Sequence, residues 1–148
     1  MLVAIDVDPL LQPIANLIVE LLKPLLIDCI IPTLSSARSP SRRLRENITT
    51  FKDSSANLLL VLYPLADGLA GPLVSSAAIN GKVYGRSIVN AFEQFGFLNN
   101  GLQEASSLDM LTVGIAATRI DLDPLMANNP NCISEAIVAG VLDVVYSF

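Results

Sequence analysis

Residues 41–65 read SRRLRENITTFKDSSANLLLVLYPL, and the interpretation of this stretch decides the fold class. Apolar side chains recur in it every three or four residues, and most of the basic side chains lie outside that stripe. This spacing is typical of one amphipathic helix packed against a core. We therefore predict a helix that Ser41 caps and that Pro64 and the glycine-rich run 68–72 end. Its core stripe is Leu44, Ile48, Phe51, Ser55, Leu58, Leu62 and Leu65.

The rest of the chain adds further helical patterns. Asp8-Pro9 predicts a helix start, because Asp caps free amide groups and Pro suits the first turn. No convincing alternation of apolar and polar residues competes with a helical reading. We therefore predict an all-α fold, a single domain over residues 1–148 that forms a bundle of five or six aliphatic helices. The remaining boundaries are a first helix to Leu22 that bends or restarts at Pro24 and ends near Pro32, a loop at 35–41, and helices at 83–95 and 108–118. A last helix, which Ser134 or Asn131 caps, runs to about Tyr146.

Composition excludes several classes of chemistry. The 148 residues are 52% hydrophobic and 16% charged, which excludes general disorder. Histidine is absent, which removes Ser-His-Asp and Cys-His catalysis and His-ligated zinc. No phosphate-binding glycine pattern and no Gly-x-Ser-x-Gly motif are present. The sequence predicts neither an enzyme nor a cofactor.

One short motif occurs twice. Residues 5–11 read IDVDPLL and residues 120–126 read IDLDPLM. Paired carboxylates suit hard cations, but neither copy brings the further oxygen ligands of a calcium loop, and helix capping explains both. The echo could also mark a unit boundary in a longer, tandemly repeated chain. We predict no metal site and leave the repeat open.

The charges separate along the chain. The net charge of −5 argues against nucleic-acid binding, and five of the nine bases lie within residues 38–52, whereas the carboxyl-terminal half is acidic. Two solvated faces are the simple interpretation, and contact with anionic lipid is a weaker one. Attraction between copies is the more specific hypothesis. Its candidate association residues are Arg42, Arg43, Arg45, Asp121, Asp123 and Glu135.

The two cysteines and the amino-terminal segment give information on the cellular compartment of the protein. Cys29 and Cys132 are a candidate disulfide or two small buried hydrophobic residues. The first eight residues lack the basic region of a signal peptide. A polar stripe interrupts the apolar stretch 10–34, so we predict a core helix and no transmembrane segment. The stripe is Gln12, Asn16, Glu20 and Lys23.

A spaced pattern in the middle of the chain resembles a known family. Tyr84, Ala91, Gly96, Leu98 and Asn99 form Tyr-x6-Ala-x4-Gly-x-Leu-Asn. This pattern resembles the helix and turn of globular domains in spider silk proteins (spidroins), particularly the aciniform-type repeat.

The carboxyl-terminal end is similar to the last helices of spidroin carboxy-terminal domains. Asn129-Pro130 is followed there by Cys132 and an apolar helix that contains Glu135. In that family a cysteine near this helix links two chains, so the resemblance implies a possible link through Cys132.

The resemblance implies a structural function. A secreted, extracellular domain of this kind stays soluble in storage and then self-associates into a homo-oligomer or fibre. The alternative is an extracellular carrier, because an aliphatic bundle can enclose a lipid or another apolar ligand. Neither function involves nucleic acid.

Overall fold

The computed structural model describes residues 1–32, 40–104 and 115–147, and it is an α/β fold. Four α-helices, six β-strands and three short 3₁₀ segments make up this part of the chain. The strands are β1 Leu2–Val7, β2 Asp28–Ile30, β3 Leu58–Pro64, β4 Leu73–Ala77, β5 Leu102–Glu104 and β6 Ala116–Leu122. The helices are α1 Gln12–Leu22, α2 Pro40–Asp53, α3 Ala78–Gln94 and α4 Asn131–Val145, with 3₁₀ segments at Pro9–Leu11, Lys23–Leu25 and Pro124–Asn128.

The six strands form one mixed sheet in the order β2-β1-β3-β6-β4-β5. Strands β2, β1, β3 and β6 run parallel, and β4 joins β6 in the antiparallel sense. The all-α prediction is therefore wrong. Parallel strands covered on both faces are apolar at nearly every position, so they lack the alternation on which the sequence analysis relied.

The stretch 41–65 contains the clearest example of this error. Helix α2 ends at Asp53, Ser55 adopts a left-handed conformation with φ of 56°, and β3 starts at Leu58. Residues 58–63 are all buried, and their side chains alternate between the two faces of the sheet. The predicted helix therefore stops about halfway, because six consecutive buried residues require contacts on opposite sides of the backbone.

Several of the other predicted boundaries are close to the structure. The predicted helices 83–95 and 134–146 correspond to α3 and α4, and the first helix is a 3₁₀ turn followed by α1. The segment after Pro24 contains β2, not a helix that runs to Pro32. Most of the predicted loop 35–41 and the 108–114 part of another predicted helix lie outside the described residues, and 116–118 belongs to β6. Among the described residues, no helix has the length and apolarity to span a bilayer.

Two apolar layers cover the sheet. On one face, α1, α3 and α4 pack on Ile5, Leu60 and Ile120 and their neighbours. Helices α3 and α4 are in close contact there, since a Cβ added at Gly140 would lie 2.6 Å from the Cα of Ile88. On the other face, Leu44 of α2 joins a smaller cluster with the sheet. The crossovers thus place α1 and α2 on opposite faces, which opens the carboxyl edge between β1 and β3.

Candidate functional site

The sheet order places a topological switch point, where an open α/β sheet can form a crevice, at the carboxyl ends of β1 and β3. The chain leaves β1 toward β2 on one side and leaves β3 toward β4 on the other. In open α/β sheets, ligands bind where neighbouring strands send their connections in opposite directions. Polar side chains lie at the carboxyl ends of β1, β3 and β6, on the face that α2 covers.

A buried ion pair lies at the end of β1. Arg43 of α2 donates from Nε to Asp6 Oδ1 at 3.0 Å and from Nη2 to Asp6 Oδ2 at 3.1 Å. Its Nη1 lies 3.6 Å from Asp8 Oδ2. Burial raises the pKa of Asp6, and the hydrogen bonds and positive charge of Arg43 offset part of that increase. Arg43 thus holds Asp6 in a bidentate contact and also reaches the less buried Asp8.

A second pair lies at the ends of β3 and β6. Arg119 donates from Nε and Nη2 to the two carboxylate oxygens of Asp121, at 2.6 and 2.8 Å. Its guanidinium carbon lies 3.9 Å from the centre of the Tyr63 ring, within cation–π range. The Arg119 side chain is 29% exposed, whereas that of Asp121 is 5% exposed. Arg119 is therefore a positive group within reach of a ligand.

The repeated motif of the sequence accounts for both halves of this cluster. The first Asp of each copy, Asp6 or Asp121, is buried and paired with an arginine. The second, Asp8 or Asp123, caps a 3₁₀ segment by accepting a 3.0 Å hydrogen bond from a backbone amide. The predicted capping role is confirmed. The copies lie on the two strands that flank β3, about 10 Å apart at the usual strand spacing.

The predicted association residues are dispersed. Arg43 and Asp121 are buried in separate intrachain ion pairs, and Asp123 caps a helical turn. Arg42 and Arg45 are exposed on α2, and Glu135 is exposed on α4.

Asp6, Tyr63 and Arg119 were not predicted as site residues. The doubled motif was the available signal for Asp6, whereas nothing in the local sequence pairs Arg43 with a residue 37 positions away.

A resident zinc ion does not fit these residues. Catalytic zinc needs three protein ligands drawn from His, Cys, Asp and Glu. The chain contains no histidine, and the described residues include no group of three or more such side chains placed to hold a metal. The buried carboxylates at the edge are each engaged by a guanidinium, whose charge opposes a cation. The described side chains at this edge offer carboxylates, guanidinium groups and a phenol.

The structure records both cysteines as free thiols. Cys29 is partly buried on β2 and Cys132 is exposed at the start of α4. Burial, followed by the negative charge of Asp28, raises the pKa of Cys29 to about 11. A disulfide within or between chains stays a prediction.

We expect iodoacetamide at pH 8 to label Cys132 and to spare Cys29 in the folded protein. At a pKa of about 11, only about one Cys29 thiol in a thousand is the reactive thiolate. Mass spectrometry of the labelled protein should show one adduct on Cys132 and a second only after denaturation. A protein that takes up no label until it is reduced would instead support the predicted disulfide.

Comparison with known proteins gives a structural likeness over the whole chain. No family model and no curated protein matches the sequence. The catalytic domain of CwlV, an N-acetylmuramoyl-L-alanine amidase from Bacillus (Paenibacillus) polymyxa var. colistinus, superposes with a TM-score of 0.80 at 10% identity and covers 99% of both chains. An N-acetylmuramoyl-L-alanine amidase from Clostridium difficile 630 gives 0.80 at 15% identity, covering 99% of this chain and 97% of the other. The catalytic domain of the endolysin CD27L, which targets Clostridia difficile, gives 0.75 at 19% identity and covers 97% of both.

These likenesses overturn the resemblance on which the functional prediction rested. The neighbours are two N-acetylmuramoyl-L-alanine amidases and the catalytic domain of an endolysin, not spidroin domains. The predicted silk-type assembly and the alternative lipid carrier are therefore wrong. The prediction that the chain is not an enzyme is contradicted as well, because the fold is one on which amidases are built. The Tyr84–Asn99 pattern that suggested a spidroin belongs to α3 and the turn after it.

Proposed function

We propose that this chain is a peptidoglycan amidase, a hydrolase of the amide bond that joins the lactyl group of N-acetylmuramic acid to L-alanine. The observation that carries the proposal is the likeness to two N-acetylmuramoyl-L-alanine amidases over 99% of this chain and to the catalytic domain of an endolysin over 97% of it. The crevice between β1 and β3 lies where an open α/β sheet binds its ligand. The proposal locates the protein outside the cell membrane, at the cell wall.

Hydrolysis without a resident metal needs a base for the attacking water and a positive group for the developing oxyanion. Asp8 is the candidate base, because its side chain is 15% exposed and lies beside the crevice, whereas that of Asp6 is 1% exposed. Arg119 is the candidate oxyanion partner, because it is cationic and its side chain is 29% exposed. Water would add to the carbonyl carbon as Asp8 takes its proton. That proton would then pass to the amine as the C–N bond breaks.

The buried pair positions this machinery. Asp6 fixes two nitrogens of Arg43, and the third nitrogen faces Asp8. This arrangement orients the Asp8 carboxylate toward the carboxyl edge of the sheet. Asp6 and Arg43 therefore act as positioning residues in the proposal.

Apolar side chains next to the charged cluster suit the rest of the substrate. Leu10 and Leu125 follow the two Asp-Pro pairs, and they are 60% and 72% exposed. Both are on the 3₁₀ segments that start at the carboxyl edge. They could cover the methyl groups of the acetamido, lactyl and alanyl units while Tyr63 and Arg119 face the polar backbone.

The test uses purified protein with bacterial cell-wall sacculi and with soluble muramoyl dipeptide. We expect co-sedimentation with sacculi and the appearance of new L-alanine amino termini, detected by dinitrophenylation and chromatography. Because the described residues provide no metal site, EDTA should leave the rate unchanged. Absence of both binding and new amino termini would contradict the proposal, and loss of the activity with EDTA would contradict the metal-free chemistry.

A further inference from the structure

A groove between α3 and α4 lies away from the carboxyl edge. It comprises two cavities of about 280 and 370 Å³ that share Val83 and Val144. The smaller cavity is lined by Asn57 and Ala116, which lie at the starts of β3 and β6. The groove is thus at the amino edge of the sheet. The five-residue rise from Ala116 to Asp121 separates it from the candidate amidase site by about 17 Å.

Two opposite charges line the larger cavity without pairing with each other. Arg86 and Asp143 both face it, yet no ion pair joins them, and no described residue forms a hydrogen bond or ion pair with Arg86. The Asp143 carboxylate is contacted by the hydroxyl of Ser87, whose Oγ lies 3.2 Å from Oδ2. Both charges are therefore available to a ligand placed between them.

The walls of this cavity are held rigidly. Ser87 is buried and donates to the backbone oxygen of Gly140 at 2.8 Å, which ties α3 to α4. Gly140 allows this close approach, because a side chain there would collide with Ile88. Asn90 and Ser147 add neutral donors and acceptors to the lining. A cavity of this volume with a few convergent polar groups on rigid helices has the features of a small-molecule site.

We propose that the α3–α4 groove binds a short peptide with both ends free, its carboxylate against Arg86 and its ammonium against Asp143. A zwitterion matches the two unpaired charges at once, whereas a simple anion or cation would leave one of them uncompensated. The neutral groups and the smaller cavity would accommodate the peptide backbone. The proposal does not rest on the amidase assignment, since it uses none of the residues at the carboxyl edge.

The experiment is a titration of ¹⁵N-labelled protein with L-alanyl-L-alanine, its N-acetyl form and its C-terminal amide. We expect shifts at α3 and α4 residues of the groove and about tenfold weaker binding when either end is blocked, as for the loss of one charge-assisted hydrogen bond. Equal affinity for the three probes, or no shift at about 10 mM peptide, would overturn the proposal.

Variants assign each end of the peptide to one side chain. In Arg86→Gln the dipeptide and its amide should bind alike, and in Asp143→Asn the dipeptide and its N-acetyl form should bind alike. Asn retains a partner for Ser87, so the second variant should fold, which thermal melting checks. The controls are Lys23→Gln and Asp67→Asn, which make the same charge changes at exposed positions outside the groove lining. If these controls weaken binding as much as the groove variants do, the effect is one of net charge and the proposal is wrong.

Discussion

The free energy of unfolding of the Asp6→Asn variant should be about 3–5 kcal/mol lower than that of the unchanged protein. This is the usual effect of removing one partner of a buried ion pair. Arg43 is 4% exposed, and the substitution leaves its guanidinium with the 3.6 Å contact to Asp8 as its remaining ion pair among the described residues. Urea denaturation followed by circular dichroism measures the difference. Given the marginal stability of single domains, a substantial unfolded fraction at 37 °C is expected.

Two further proteins separate the lost pair from a general packing defect. The double variant Asp6→Asn/Arg43→Met removes both charges, so it should be more stable than Asp6→Asn alone. Lys82→Gln opens an exposed pair with Glu104 and should barely change the urea midpoint. The loss of unfolding free energy in the double variant is compared with the sum of the losses in Asp6→Asn and Arg43→Met. If the two values are equal, the Asp6–Arg43 contact is not what stabilises this edge.

The second large effect concerns the rate of amide hydrolysis. Asp8→Asn should lower kcat/KM on muramoyl dipeptide by roughly 10²–10⁴-fold, which is the usual contribution of a general base. Asn caps a helical turn nearly as well as Asp, so the hydrogen bond to the Leu10 amide should persist and the fold should be unchanged. Release of L-alanine amino termini measures the rate, and thermal melting checks the fold.

The chain provides a matched control for this variant in its second copy of the motif. Asp123 caps Leu125 with the same 3.0 Å geometry, but no arginine contact is recorded for it among the described residues. Asp123→Asn should therefore leave the rate within about twofold of the unchanged enzyme. Equal losses in the two variants would indicate a shared structural effect and would remove Asp8 from its proposed role.

The local sequence predicted the amphipathic helices, which have one apolar and one polar face. Helices α3 and α4 were located within a few residues, and the capping roles of Asp8 and Asp123 were correct, because each depends on neighbours in sequence. The strands were missed because β3 is buried on both faces and shows no alternation. The spidroin resemblance failed because five spaced residues on one helix and turn do not specify how that helix packs.

The stretch 41–65, which decides the fold, shows which features the local sequence determines and which ones depend on the tertiary structure. The sequence by itself determined that Leu44 and Phe51 share a buried helical face and that Asp8 and Asp123 cap short turns, since both follow from periodicity and local hydrogen bonding. Only the tertiary structure decided that residues 58–64 form a central strand, because parallel pairing joins β3 to β1 and β6, which are distant in sequence. The same pairing brings Asp6, Tyr63 and Asp121 to one edge, and contacts across 37 residues between Asp6 and Arg43 complete the candidate site.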